Sequence, residues 1–342
     1  MKHETWQAWL AAGALVVSSG ASAGTLEDVQ NRGHVICGVD GGLPGFSAPD
    51  DAGKIRGIDA DVCYAVAAAV LGDRESVKFV PLTAKERFTA LSSGEIDVLS
   101  RNTTHTLTRD ASLGLNFTYY NFIDGQAFMA KKDLGVNSAK ELDGARVCVQ
   151  SGTTTEINLA DYFRSNKMDF ELVAYETSVQ TREGFEGGAC DVLTSDKSQL
   201  AAIRSELADP SSAQVLPETI SKEPLGPVVR QGDDAWFNTV KWTLWAMMNA
   251  EELGVSSANA DQMRSSEDPS VLRLLGLEGD SCQLISDKLS KDCFYQAVKQ
   301  VGNYGEIYEA NVGENTPLGL TRAGSPNDLW SRGGLIYAPP VR

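Results

Sequence analysis

The chain has 342 residues, a formal net charge of −16 and 42% apolar residues. Such acidity argues against nucleic acid or an anionic membrane surface as a main partner. The length exceeds what one hydrophobic core usually holds, so two lobes are expected.

The first 23 residues read as an export signal. Lys2 precedes an apolar run over 9–17, and Ala21-Ser22-Ala23 supplies the small-residue cleavage pattern, so the mature chain is expected to begin near Gly24. That run is too short to span a bilayer, and nothing downstream offers the eighteen or more uninterrupted apolar residues of a membrane helix. About 319 soluble residues remain, and their net charge is still −16 because the leader holds one Lys and one Glu.

Short strand-like runs then alternate with helical stretches: 35–39, 59–71, 77–80, 85–92 and 96–99. A second series follows at 146–149, 155–163, 172–175 and 191–193. Strand and crossover helix in alternation predict mostly parallel α/β sheets, one per series. An internal echo agrees with this. The run 94–100, Gly-Glu-Ile-Asp-Val-Leu-Ser, is matched by 188–194, Gly-Ala-Cys-Asp-Val-Leu-Thr. Five residues past each aspartate stand Asn102 and Asp196, at the carboxyl ends of equivalent strands, where open α/β sheets bind ligands. Beyond Pro217 the composition changes. Residues 235–252 read as an amphipathic helix whose Trp and Met stripe is core packing, and a loop-rich tail covers 319–342.

Six cysteines in an exported chain without a Cys-x-x-Cys pair suggest disulfides. Fifteen connectivities are open to six cysteines. Chain context favours Cys37 with Cys63, strand to overlying helix; Cys148 with Cys190, on neighbouring strands; and Cys282 with Cys293, flanking a short loop. Free buried thiols are the alternative for any one pair.

The chemistry gathers in three places. Residues 100–109, Ser-Arg-Asn-Thr-Thr-His-Thr-Leu-Thr-Arg, put arginines and hydroxyls directly after a strand. Residues 151–156, Ser-Gly-Thr-Thr-Thr-Glu, open a helix whose first amides favour an anion, although the same letters spell a capping box. Asp196 supplies a carboxylate. A guanidinium fork with hydroxyl donors and an opposed carboxylate is what a free amino acid, with its carboxylate and ammonium on one carbon, requires.

At these residues, and at 42–47, 57–62, 81–88, 191–196, 221–227 and 333–340, the chain resembles the solute-binding proteins (family 3) of polar amino-acid ABC transporters. Within them it is most similar to the general L-amino-acid-binding branch. The resemblance implies a two-lobed α/β periplasmic-binding-protein fold (type II, Venus-flytrap) with a largely helical C-terminal extension. The expected divisions are 24–128 and 218–342 for the first lobe and 129–217 for the second, with hinge crossings near 126–128 and 217–227. It further implies that Arg109 pairs with the ligand carboxylate, helped by Thr104 and by Thr153 across the cleft, with Thr154 also among the ligand-binding residues. Asp196 and Asn102 would hold the ammonium, Arg87 would reach the ligand side chain, and Phe46 would pack against the ligand. Leu43 stands where many relatives have an aromatic, and His105 where a larger aromatic is expected; His105 reads as a partly exposed turn residue. A monomer carrying no cofactor or metal is expected, with free L-amino acids and a membrane permease as partners. The competing class is an exported lyase or dehydratase of the same fold. Against it, the mature chain has only His34 and His105, without metal-ligand spacing, and no Gly-x-Ser-x-Gly elbow.

Overall fold

Two five-stranded sheets share one strand order. In the computed structural model, which describes residues 24–342, the first sheet runs Val77–Pro81, Val35–Val39, Val98–Leu99, Val228–Arg230, Leu115–Phe117. The second runs Phe170–Tyr175, Ala145–Gln150, Val192–Asp196, Gln126–Lys131, Ala213–Val215. The expected export signal lies outside the described residues. In each sheet three parallel strands adjoin one antiparallel strand that follows a crossing between the sheets. The alternation read from the sequence produces this plan because each helix between parallel strands crosses a sheet face and buries it.

The echo is structural. The N–H of Asp97 donates to the carbonyl of Ile36, and that of Asp191 to the carbonyl of Arg146. Each aspartate also pairs with an arginine, Arg32 and Arg146 respectively. The same acidic turn thus opens the third strand of both sheets and sends its end to the interlobe cleft, from opposite walls.

Two extended crossings join the lobes and pair with each other, Phe122–Asp124 antiparallel to Glu223–Leu225. The expected boundary at 128 falls inside a strand. Gln126, Ala127 and Phe128 already pair with Asp196, Ser195 and Thr194, because the ladder to Val192–Asp196 runs unbroken from Gln126.

Helix Ile58–Leu71 is apolar nearly all round, and the structure covers it on both sides. The first sheet lies beneath it, and helices Asp234–Glu252 and Cys293–Val301 of the extension lie above, forming one core with Val66, Trp236, Val240, Phe294 and Val298. Trp236 adds a hydrogen bond, its indole N–H donating to the Asp97 carbonyl at 2.9 Å. Three disulfides staple this frame: Cys37–Cys63 from strand to helix, Cys148–Cys190 from a strand of the second lobe to the turn before its neighbour, and Cys282–Cys293 at the head of an extension helix.

Candidate ligand-binding site

Strand ends from both lobes meet in the cleft. They line a narrow pocket of about 260 Å³, open solvent at its mouth included, whose eleven lining residues are all polar. Arg87, Arg101, Asn102 and Thr104 come from the first lobe. Gln150, Thr153, Thr154, Thr155, Ser195, Asp196 and Gln199 come from the second. A larger, shallow hollow of about 1080 Å³ lies on the second lobe between Lys131 and Ser212. Among the described residues none of its walls has a buried polar atom lacking a partner, whereas the cleft has several.

Buried Asp59 shapes the first wall. Its carboxylate accepts from the Asn102 N–H (2.6 Å), the Asn121 amide (2.9 Å) and the Ser100 hydroxyl (3.3 Å). These bonds hold Asn102 in a left-handed turn, φ 32°, which Asn tolerates better than most residues. Burial pushes the Asp59 carboxyl up to about 6, against the pull of its hydrogen bonds and of Arg101. Arg101, 2% exposed, pairs with Asp40 at 2.5 Å and donates to the Leu82 carbonyl. Arg87 is equally buried. It donates to the Arg101 carbonyl and to Thr103, both at 3.3 Å, while its Nε has no partner. Burial, with Arg109 and Arg101 close by, holds its guanidinium well below the usual arginine range.

The second wall is a helix start and a strand end. Thr153 caps helix Thr154–Asn166 by accepting from the Glu156 N–H, and the Glu156 carboxylate accepts from Gly152 N–H at 2.8 Å. Gly152 has φ +76° and lies against Lys85 of the facing lobe, where a Cβ would meet the lysine side chain at 2.8 Å. Asp196 ends its strand with Oδ1 buried and unpartnered, as is Oδ1 of Asn102 opposite. Burial, then the neighbouring Asp124 and Glu223, hold the Asp196 carboxyl well above the ordinary range, while Arg109 and Arg87 draw it back.

The lobes touch across this cavity. The Asn102 amide donates to Gln199 at 3.2 Å, the hydroxyls of Thr104 and Thr154 share a hydrogen bond at 3.3 Å, and Ser178 donates to Asp40 at 3.1 Å. Thr154 also donates to Glu223 of the hinge at 2.9 Å.

Six of the eight expected ligand-binding residues, Arg87, Asn102, Thr104, Thr153, Thr154 and Asp196, therefore line one cavity. Arg109 sits behind Thr104 and donates to its carbonyl at 2.9 Å; its guanidinium lies over the Phe88 ring, and burial draws it down to about 10. Phe46 departs from expectation. Its carbonyl accepts from Asp59 and Ala60 N–H at the head of helix Ile58–Leu71, which turns its ring into the core, edge-on to Phe122 of the hinge. Leu43 is likewise in that core. His105 is partly exposed, stacked 4.3 Å from Phe117. Sequence reasoning missed Arg101, Gln150, Thr155, Ser195 and Gln199 as lining residues. Gln199 stands three positions past Asp196 at the head of helix Lys197–Ser205, a spacing that puts both on one face.

The bacterial extracellular solute-binding proteins, family 3, match residues 35–258 of the chain. The chain belongs to this family. Over its whole length this solute-binding protein is 52% identical to the general L-amino acid-binding periplasmic protein AapJ of Rhizobium johnstonii, covering all of it. It is also 52% identical, over 96% of both chains, to the glutamate/glutamine/aspartate/asparagine-binding protein BztA of Rhodobacter capsulatus. A solved ABC-transporter periplasmic binding protein from Brucella ovis, with glutathione bound, superposes with a TM-score of 0.90 at 50% identity, over 94% of this chain and 100% of that one. The solute-binding protein thus has the type II two-lobed fold, and it is a transport component rather than an enzyme.

Proposed function

We propose that this protein captures free L-amino acids of a broad range in the interlobe cleft and delivers them to the membrane permease of an ABC transporter. The observation that carries the reading is the matched pair of unpartnered buried acceptors, Oδ1 of Asp196 and Oδ1 of Asn102, on opposite walls of an all-polar cavity that Arg87 and Arg109 flank. Buried polar atoms are nearly always partnered, so such orphans point to a ligand. In this reading Asp196 and Asn102 take the ammonium. Arg109, with Thr104, Thr153 and Thr154, takes the carboxylate.

The unpartnered Nε of Arg87 then faces the ligand side chain. A side chain ending in an acceptor, as in glutamate, glutamine, aspartate or asparagine, satisfies it, and an aliphatic one leaves it unpaired. The names of AapJ and BztA agree with both the breadth and this ranking. Glutathione, bound by the Brucella protein, carries a free α-amino-acid head on its γ-glutamyl end and would engage the same groups.

The mature protein would begin at Gly24 and act as a periplasmic monomer, its two lobes closing on the ligand and docking on the permease only when closed. N-terminal sequencing of exported protein should read Gly24-Thr25-Leu26. Calorimetric titration with the twenty L-amino acids and glutathione tests the binding. Several amino acids should bind and be recovered unchanged, those with acceptor side chains most tightly; consumption of the ligand, or binding of none, would refute the reading.

A further inference from the structure

The C-terminal tail forms no wall of the ligand cavity, yet it reaches the hinge. In the two-stranded hinge ribbon Ile123 stands opposite Pro224. Proline has no N–H, and at this pair the peptide groups face away from the ribbon, so each needs a partner elsewhere. On one edge the Pro224 carbonyl accepts from the His105 N–H at 2.8 Å, within the binding loop. On the other edge the Ile123 N–H donates to Oδ1 of Asn327 at 2.7 Å, and the Ile123 carbonyl accepts from Nδ2 of the same residue at 2.9 Å. An asparagine amide presents the donor and acceptor of a peptide group, so Asn327 serves as a third strand one residue long.

The clamp is itself anchored. Buried Arg322 donates through Nε to the Asn327 carbonyl at 3.0 Å. Its two terminal nitrogens fork onto Glu251, at 2.7 and 2.8 Å, on helix Asp234–Glu252 of the first lobe. A second tie lies one turn of chain away. The Tyr304 hydroxyl donates to the Asn121 carbonyl at 3.1 Å, and the Asn121 amide donates to Asp59, which holds Asn102. The extension is thus bonded to the hinge strand on both sides of Phe122.

We propose that Asn327 is a hinge-positioning residue: by fixing the Ile123 peptide to the body of the first lobe, it confines the closing rotation of this crossing to residues 124–126 and sets how firmly the closed state holds its ligand. The affinity part rests on the amino-acid function proposed above; the clamp itself does not.

Amide hydrogen exchange on the ligand-free mature protein, with Asn327→Ala beside wild type, tests the clamp. The Ile123 amide should exchange about tenfold faster or more in the variant, while the amides of Val35–Val39 stay unchanged. Unchanged Ile123 exchange would overturn the clamp whatever the ligand. Stopped-flow titration tests its consequence. L-glutamate and L-glutamine should each bind about tenfold more weakly, by the same factor, through faster dissociation. Faster exchange with unaltered affinity would overturn the role in closure. Asn327→Asp, which sets a carboxylate oxygen against the Ile123 carbonyl in place of the donor, should also loosen the clamp and speed Ile123 exchange relative to wild type, and it decides the matter if the alanine variant does not fold. Wild type that binds no amino acid would sink the proposed function while leaving the exchange result to judge the clamp.

Discussion

Asp196 and Arg109 bring opposite charges to the cleft from opposite lobes, and both are buried. In the proposed function, removing either side chain would leave one charged end of the ligand desolvated and unpaired, a loss of about 2–5 kcal/mol where a buried charge pair is broken. Arg109→Ala and Asp196→Ala should therefore weaken every amino acid by roughly thirty- to several-thousand-fold, in protein that keeps its wild-type circular dichroism. Arg87→Ala should instead alter the ranking among side chains. Near-wild-type affinity in Arg109→Ala or Asp196→Ala would move the site elsewhere. Acidity adds a second test. Because burial holds the Asp196 carboxyl above its unfolded range, the ligand-free fold keeps a proton that the unfolded chain releases, and that contribution to stability is lost as pH rises through the window. An arriving ammonium draws the carboxyl back down, so binding expels the proton and affinity rises with pH until Asp196 is ionised. Binding enthalpies measured across a series of pH values, in pairs of buffers of different ionisation heat, should differ within each pair by the heat of that proton at pH values where ligand-free Asp196 is still protonated, and should agree in Asp196→Ala. Equal enthalpies for wild type would mean that Asp196 does not titrate on binding.

At the scale of elements, the Cys148–Cys190 bridge ties strand Ala145–Gln150 to the turn that opens the adjacent strand Val192–Asp196, the two strands that bring Gln150 and Asp196 to the cleft. It closes 42 residues of chain, and a bridge of ordinary effect stabilises a fold by about 2–4 kcal/mol. Replacing both cysteines with alanine should lower the unfolding free energy by that amount, read from a lower denaturant midpoint, while leaving amino-acid selectivity intact; unchanged stability would mean the strands are held by packing alone. Much at this scale was legible in the chain. Strand-helix alternation foretold both sheets, and the Gly-to-strand echo marked Asn102 and Asp196, because a local turn with its aspartate recurs wherever the same turn is built. Arg101 was less legible. It stands beside Asn102 in sequence, and its inward course depends on Asp40 and the Leu82 carbonyl, which arrive from other elements. Phe46 misled for a related reason. Its loop resembles a ligand-facing one, and only the bonds from its carbonyl to Asp59 and Ala60 N–H reveal that the ring turns into the core. Glu223, hydrogen-bonded to Thr154, Asn158 and Ser221, had no signal of its own, since nothing local says that a hinge strand will meet a helix of the second lobe.

The molecule as a whole is two copies of one sheet plan joined by a two-stranded ribbon, with the lining of the polar cavity, and so the proposed ligand groups, divided between them. Such a design makes ligand and closure one equilibrium: an amino acid that satisfies Asn102 and Thr104 on one wall and Asp196 and Thr154 on the other binds the closed form better than the open one, and only that difference can shift the population. Contacts between the walls themselves, such as Ser178 with Asp40 and Lys85 with Glu176 at 2.7 Å, add to closure without touching ligand. The latter pair is exposed and contributes little, about 0–1 kcal/mol. Small-angle X-ray scattering of the mature protein, with and without saturating L-glutamate, tests the central claim most directly. The account predicts a smaller radius of gyration with ligand in wild type and no contraction in Asp196→Ala; identical wild-type curves with and without bound glutamate would contradict it.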